Sequence, residues 1–122
     1  MGTHPINLFV RFLLEMTALI AIGIWGWKFG SEDFRIVLAL GLPILTAAIW
    51  GIFAVPNDPS RSGKAPVPIN GRVRLLLEFV IFMLSIWGLY EMEFVKLSGL
   101  FGSIVILHYA VSFDRILWLI KY

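Results

Sequence analysis

Hydrophobic residues fill four long stretches of the chain, and short polar or proline-rich segments separate them. Each stretch has about 20 residues with few charges, and a helix of about 20 apolar residues crosses a hydrocarbon core about 30 Å thick. The pattern therefore predicts an all-α fold, an integral membrane four-helix bundle. The predicted spans cover about residues 8–27, 36–55, 73–92 and 97–116.

The segment between the second and third spans reads PNDPSRSGKAPVPING and is rich in proline, glycine and small polar residues. This composition is typical of a loop, which we expect on the cytoplasmic side over residues 56–72. The other two connections are short, so the first two spans should form one hairpin and the last two another. We expect a single transmembrane domain over residues 1–122.

Composition supports the membrane class. Hydrophobic residues make up 59% of the chain and charged residues 15%, with a mean hydropathy of +0.87. A soluble domain of this size needs more polar surface to cover itself. Cysteine is absent, which excludes disulfides, thiolate metal sites and cysteine nucleophiles. Because the first stretch is long, carries Glu15 and lacks a small-residue cleavage site, we expect a retained helix rather than a signal peptide.

Basic residues are unevenly shared between the two ends of the predicted helices. Cytoplasmic loops of membrane proteins carry an excess of lysine and arginine, which favours both termini in the cytoplasm. The basic residues are spread over the loops rather than clustered, which argues against nucleic-acid binding. The cytoplasmic set is Arg11, Arg61, Lys64, Arg72, Arg74, Arg115 and Lys121, and the opposite set is Lys28, Arg35 and Lys96.

A segment near the start of the chain is repeated in its second half. PINLFVRFLLE at residues 5–15 and PINGRVRLLLE at residues 68–78 match at eight of eleven positions. Two spans separate the copies, so both should enter the membrane in the same direction and form a parallel repeat of two tandem hairpins. Asn7 and Asn70 are the predicted N-caps, because an asparagine side chain can accept a hydrogen bond from a free helix amide.

Both copies place an arginine four residues before a glutamate, inside the predicted membrane. The arginines lie about 6 Å beyond the predicted caps and can reach the headgroups, whereas the glutamates lie about 12 Å in. A carboxylate at that depth costs several kcal/mol unless it is paired, protonated or facing water. We therefore expect a polar layer near the inner leaflet, as a candidate binding site. Its members are Arg11, Glu15, Arg74, Glu78, His108 and Asp114.

Two main interpretations of this layer remain open. In the first, the charges form ion pairs that hold the two hairpins in register. Pairing across the hairpins, Arg11 with Glu78 and Arg74 with Glu15, is then favoured, because arginine before glutamate is the poorer i,i+4 orientation. In the second, the two carboxylates flank a cavity and exchange protons or a cation with a substrate.

Two further interpretations concern other ligands. Glu15, Glu78 and His108 could hold a divalent metal, although a single histidine in an aromatic stretch is more often a packing residue. Two helix N-termini and two arginines facing one leaflet also favour phosphate, and lipid headgroups are the preferred occupants. We expect no bound metal and no cofactor.

Other features bear on flexibility, assembly and catalysis. Pro43 removes an amide from the second span, so we expect a hinge at Gly41 and Pro43. Small residues spaced four apart, as at Gly26 and Gly30, allow close helix approach, and a homodimer or larger assembly is an expectation. The sequence lacks a nucleophile–base pairing, a phosphate-binding loop and an HExxH motif, so we expect no enzyme.

Several motifs together resemble the YrdB-like family of small bacterial inner-membrane proteins. They are VRFLLE in the first span, GLP and then WGIFAVPNDP at the end of the second, and RLLLEFVIF at the start of the third. The resemblance covers nearly the whole chain and is weakest in the fourth span, and it implies a four-helix protein of the bacterial plasma membrane. It implies no activity.

Two functions remain as hypotheses. The first is a small transporter or channel-like protein that uses Glu15 and Glu78 on a small ion or solute. Small multidrug exporters are similar in length and carry one glutamate in their first helix, but the second glutamate, the arginines and the direct repeat depart from them. The second is a non-catalytic lipid-binding or accessory membrane protein, in which the Arg/Glu pairs only hold the bundle.

Overall fold

The computed structural model describes residues 4–56, 58 and 65–121. Arg61 and Lys64, which the charge distribution places in the cytoplasmic loop, lie outside the described residues. The described chain is almost entirely helical, which confirms the predicted all-α class. Its helices are α1 (Pro5–Phe29), α2 (Arg35–Ile52), α3 (Gly71–Glu91), α4 (Val95–Val111) and α5 (Phe113–Lys121), and its strands are β1 (Phe53–Ala54) and β2 (Val67–Pro68).

Three helices, α1, α2 and α3, are long and apolar enough to cross a membrane, and α4 with α5 adds a fourth if the bent pair counts as one span. The helices alternate in direction. Arg74 near the start of α3 lies 4.9 Å from the ring centroid of Trp50 near the end of α2, and Arg11 near the start of α1 lies 5.9 Å from it. At the other end, the Trp25 and Trp87 ring centroids are 6.2 Å apart.

The residues of the predicted fourth span, 97–116, do not form one continuous helix. The helix breaks at Ser112, and α4 and α5 meet at an angle of 69°. The Ser112 amide still donates to the His108 carbonyl at 2.9 Å and so closes α4, while its own carbonyl accepts from the Arg115 amide at 2.9 Å and opens α5. Its hydroxyl accepts a 2.6 Å bond from the Asn7 side chain, which holds the break against α1.

The two copies of the repeated segment begin their helices differently. Asn70 caps α3 as predicted, since its side chain accepts from the Val73 amide at 2.9 Å. The predicted cap at Asn7 is wrong, because His4 accepts from the Ile6 amide and α1 begins at the following proline. The first copy is therefore helical from its first residue, whereas the second starts in β2 and becomes helical only after Asn70.

Short strands close the connection between α2 and α3. β1 pairs with β2 in parallel, with Ala54 opposite Pro68. The Ile69 amide also donates to the Ala54 carbonyl at 2.9 Å. This ladder holds the end of α2 beside the start of α3. The predicted loop over residues 56–72 consequently ends early, because β2 and the first turn of α3 take its last residues.

The hydrophobic core lies among α1, α3 and α4. Residues from these helices pack there around Phe82, which is 2% exposed. By contrast, α2 has no buried residue, and large apolar side chains are exposed on every helix. Trp50 and Trp25 are partly buried and pack against the core from its two ends.

Glycines allow α1 and α2 to approach closely. A Cβ atom on Gly26 would lie 2.8 Å from the Leu38 carbonyl oxygen, and one on Gly23 would lie 3.0 Å from the Ala39 carbonyl oxygen. Pro43 lacks the amide that would normally bond to the Ala39 carbonyl. This carbonyl oxygen lies against Gly23 of α1, which has no side chain to exclude it. α2 runs through Pro43 as a single helix, and a hinge at Gly41 and Pro43 stays a prediction.

We expect Gly26→Ala to lower the free energy of unfolding by about 1–3 kcal/mol, because its methyl group must push the α2 backbone away. Gly41→Ala is the matched control, since a Cβ there meets no atom within 4 Å. It should be neutral or stabilising by up to about 1 kcal/mol through helix propensity. Denaturation of both variants in mild detergent, followed by circular dichroism, measures the difference. An equal loss of unfolding free energy in the two variants would contradict the close contact between Gly26 and the α2 backbone.

Candidate functional site: the buried Glu78 cluster

Glu78 lies in the second turn of α3 and is fully buried. Its Oε1 atom accepts from the Tyr109 hydroxyl at 2.7 Å and from Nη1 of Arg115 at 2.8 Å. Its Oε2 atom accepts from Nε of Arg74 and Nη2 of Arg115, both at 2.8 Å, and from Nη2 of Arg11 at 3.3 Å. One carboxylate thus joins α1, α3, α4 and α5.

Each donor reaches Glu78 because of a local feature of its helix. Arg74 lies one helical turn before Glu78 on the same face of α3. Tyr109 lies in the last turn of α4. The bend after α4 lays α5 against α3, and Arg115 there meets both carboxylate oxygens with two guanidinium nitrogens. This two-point geometry is the strongest arrangement of arginine and carboxylate.

Arg74 also stabilises the end of α2. Its Nη1 atom donates to the carbonyl oxygens of Trp50 and Phe53, the latter at 2.6 Å. The last carbonyls of a helix have no amide partner within it, so an arginine that reaches them acts as a C-terminal cap. The guanidinium also lies over the Trp50 ring at 4.9 Å. Arg74 therefore couples α2 and α3 as well as neutralising Glu78.

A second buried carboxylate lies beside Arg115. Asp58, from the segment after α2, is 5% exposed and accepts from Nη2 of Arg115 at 2.8 Å. With Glu15, the described part of this region holds three guanidinium groups and three carboxylates. The Glu78 cluster, as we call it, consists of Arg11, Glu15, Asp58, Arg74, Glu78, Tyr109 and Arg115.

Glu15 differs from its counterpart Glu78. Its side chain is 22% exposed and accepts from Nε of Arg11 at 3.1 Å. A cavity of about 190 Å³ opens beside it between α1 and α2, and its walls are otherwise almost entirely apolar. Trp50 and Thr46 contribute to these walls. Glu15 thus lines a cavity, in addition to its contact with Arg11.

The predicted pairing across the hairpins holds for one pair only. Arg11 contacts Glu78 at 3.3 Å as expected, but it also contacts Glu15 in its own helix. The predicted pair of Arg74 with Glu15 is wrong within the described chain. Arg74 instead bonds to Glu78 in its own helix and to the carbonyl oxygens of Trp50 and Phe53 at the end of α2.

Two residues of the predicted polar layer lie apart from these bonds. Asp114 is exposed in the first turn of α5, because the bend turns Arg115 inward and leaves its neighbour outside. His108 is buried and packs edge-on against Tyr109, with ring centroids 5.4 Å apart. Among the described residues, no three histidine or acidic side chains are placed to hold a metal ion, so Glu15, Glu78 and His108 do not form the ligand set considered above.

Sequence reasoning missed three members of the Glu78 cluster. Arg115 is a charged residue in an apolar stretch, at about the same predicted depth as Arg11 and Arg74. The sequence could not separate it from its neighbour Asp114, which lies at the same depth. Tyr109 gave no signal beyond its position next to His108. Asp58 lies in a segment with the composition of a loop, and nothing in its spacing connects it with α5.

Comparison with known proteins identifies the family. The model of a family described as proteins of unknown function, DUF2568, matches residues 9–106. The chain belongs to this family. It is also 43% identical over 115 residues to the uncharacterized protein YrdB of Bacillus subtilis (strain 168), covering 94% of each chain. The resemblance to the YrdB-like family is therefore confirmed. No solved structure shows a significant match to the chain.

The family match covers only part of the Glu78 cluster. Arg11, Arg74 and Glu78 lie within the matched residues, whereas Tyr109 and Arg115 lie beyond them. The two donors to Oε1 therefore belong to the part of the chain that the family description does not reach. No activity accompanies the family or the relative, so the function must be argued from the geometry.

The duplicated motif offers an internal comparison of two glutamates. Glu78→Gln leaves three guanidinium groups facing two carboxylates and brings amide donors among existing donors, so we expect a loss of about 3–5 kcal/mol. Glu15→Gln removes one partly exposed pair and should cost about 1 kcal/mol. Chemical denaturation of both variants in the same detergent measures these losses. A loss at Glu15 as large as that at Glu78 would contradict a cluster centred on Glu78.

Proposed function

We propose that the protein is a four-helix integral protein of the bacterial plasma membrane, with two hairpins and both termini in the cytoplasm. It acts without catalysis, as a lipid-binding or accessory component of the membrane, and membrane lipids are its direct partners. In this proposal the Glu78 cluster holds the helices together and takes no part in exchange with a substrate.

One observation carries this proposal. Glu78 receives five hydrogen bonds on two oxygens, and a carboxylate has about four lone-pair positions to offer. Nothing remains on it for a transported ion to bind. Among the described residues, three guanidinium groups face three carboxylates, so removal of one of these charges would leave a buried group uncompensated. Such a centre suits a permanent structural contact better than a site that loads and unloads.

Exposed apolar surface supports the membrane location. Ile44 on α2 is 67% exposed and Ile106 on α4 is 72% exposed, and no side chain of α2 is buried. Contiguous apolar surface of this kind is costly in water and is covered at no cost by lipid tails. The fold therefore needs the hydrocarbon core to cover its second helix.

The basic residues at the two ends support the proposed orientation. At the end opposite the Glu78 cluster, Lys28 lies 4.8 Å from the ring centroid of Phe94, and Arg35 lies 5.1 Å from that of Trp27. Stacking on interfacial rings suits long basic side chains that reach the headgroups. The cluster end carries more basic residues, which favours the cytoplasm for that end.

A second candidate function is the reversible binding of a small cation at Glu15. Glu15 lines the cavity between α1 and α2 and, unlike Glu78, contacts one guanidinium among the described residues. Against this candidate, Arg11 lies beside the carboxylate and repels positive charge. The first proposal is therefore preferred.

The proposed topology can be mapped directly because the chain has no cysteine. Ser31→Cys, in the exposed turn between α1 and α2, should react with a membrane-impermeant maleimide in intact cells. Pro66→Cys, exposed beside β2, should react only after the cells are permeabilised. Mass shifts on a gel report both reactions. Reaction at Pro66→Cys in intact cells would overturn the orientation.

Flux measurements distinguish the two candidate functions. The protein in liposomes should pass protons, potassium and methylammonium no faster than protein-free liposomes, as followed with a pH-sensitive dye after a potential is imposed. Glu15→Gln should behave identically. A saturable flux that Glu15→Gln abolishes would overturn the first proposal and favour the second. The comparison with Glu15→Gln is valid because that variant is expected to stay folded.

A further inference from the structure

The face of α5 that points away from the protein carries large apolar side chains. From the geometry of this helix we propose that α5 lies along the cytoplasmic surface of the membrane, with this apolar face in the lipid of the headgroup region. The occupant of the face is thus the bilayer itself. The inference rests on the membrane location proposed above and goes beyond it, because a four-span protein does not require a surface helix.

The length of α4 allows it to cross the membrane without α5. α4 has 17 residues, which at 1.5 Å per residue reach about 26 Å. This length is close to the hydrocarbon thickness of about 30 Å, and 17 residues lie at the short end of known spans. The residues after the break are therefore not needed to complete the fourth crossing.

The bend directs α5 along the membrane surface. The axes of α4 and α5 differ by 69°. With α4 near the membrane normal, α5 then lies closer to the membrane plane than to the normal. Ser112 stabilises this direction, because it closes α4, opens α5 and is bonded to Asn7 of α1.

Three faces of α5 match three different surroundings. Arg115 and Leu119, four residues apart, are buried against the rest of the protein. The apolar residues that follow an i, i+4, i+7 spacing form a second face, and they are 57%, 53% and 45% exposed. The third face carries the charged residues Asp114 and Lys121, both exposed. The apolar face is formed by Phe113, Leu117 and Ile120.

This arrangement is typical of an interfacial helix. Such helices place an apolar face among the upper acyl chains and a charged face in water. A helix of a soluble protein buries its apolar face against its own core, but α5 already uses a different face for that purpose. The apolar face therefore has lipid available beside it at the level where the spans end.

Contacts with other helices hold α5 at that level. A Cβ atom on Gly71 would lie 1.7 Å from the Leu119 carbonyl oxygen, so only glycine at the first position of α3 lets α5 approach so closely. Arg115 bonds to Glu78 at the other end of α5. Because α3 begins here, α5 is fixed beside a helix start, which is the depth of the membrane surface.

Spin labels can test the placement of α5 in the cysteine-free chain. Leu117→Cys and Phe113→Cys report on the apolar face, and Lys121→Cys reports on the charged face. The labelled proteins are placed in vesicles of phosphatidylethanolamine and phosphatidylglycerol. Collision rates with oxygen, which concentrates in lipid, are compared with those of a water-soluble nickel chelate. Ile44→Cys on α2 serves as the control for a site deep in lipid.

We expect the oxygen-to-nickel ratio at Leu117→Cys and Phe113→Cys to exceed that at Lys121→Cys several-fold, and that at Ile44→Cys to be higher still. Preferred access of nickel to the two apolar sites, with Ile44→Cys in lipid, would overturn the placement of α5 alone. Protection of these sites from both reagents would also overturn it, because a second protein surface would then cover the face. Nickel access at Ile44→Cys would overturn the membrane location and this inference with it.

Discussion

The compensation of one buried negative charge organises this protein. A carboxylate with no exposed surface must be surrounded by donors, and Glu78 obtains them from α1, α3, α4 and α5. Each donor fixes the position of its helix relative to α3. An apolar contact could slide by one residue at small cost, whereas a buried guanidinium moved away from its carboxylate would remain unpaired. The charge thus specifies one packing arrangement among several that apolar surfaces alone would permit.

Two irregular features of the chain serve this compensation, and Arg74 links it to α2. The break at Ser112 brings Arg115 against both oxygens of Glu78. The segment after α2 places Asp58 inside the protein, where Arg115 needs a second negative partner. Arg74 donates to the last carbonyls of α2 and so ties a helix that has no buried side chain to the rest of the fold.

The regular part of this structure could be predicted from the sequence, and the irregular part could not. Apolar stretches of helical length predicted α1, α2 and α3, and the side chain of Asn70 predicted the start of α3. No proline or glycine marks the helix break at Ser112 in the sequence. The break is instead accompanied by a hydrogen bond to Asn7, 105 residues away. Predicting that Arg115 rather than Asp114 faces Glu78 required the rotation of α5 about its axis. The break at Ser112 determines this rotation. The position of Asp58 depends on its ion pair with Arg115, and no sequence pattern connects these two residues.

The two copies of the Arg/Glu motif have similar sequences but different surroundings. Glu78 is enclosed by α4, α5 and Arg11 of the first copy, whereas Glu15 has α2 beside it and a cavity between the two helices. The difference arises because Arg115 is a third arginine for two glutamates, and it binds to Glu78. A function that used both carboxylates alike would require similar access to each. The geometry differs instead: Glu78 is bonded to four helices, whereas Glu15 lines the cavity between α1 and α2.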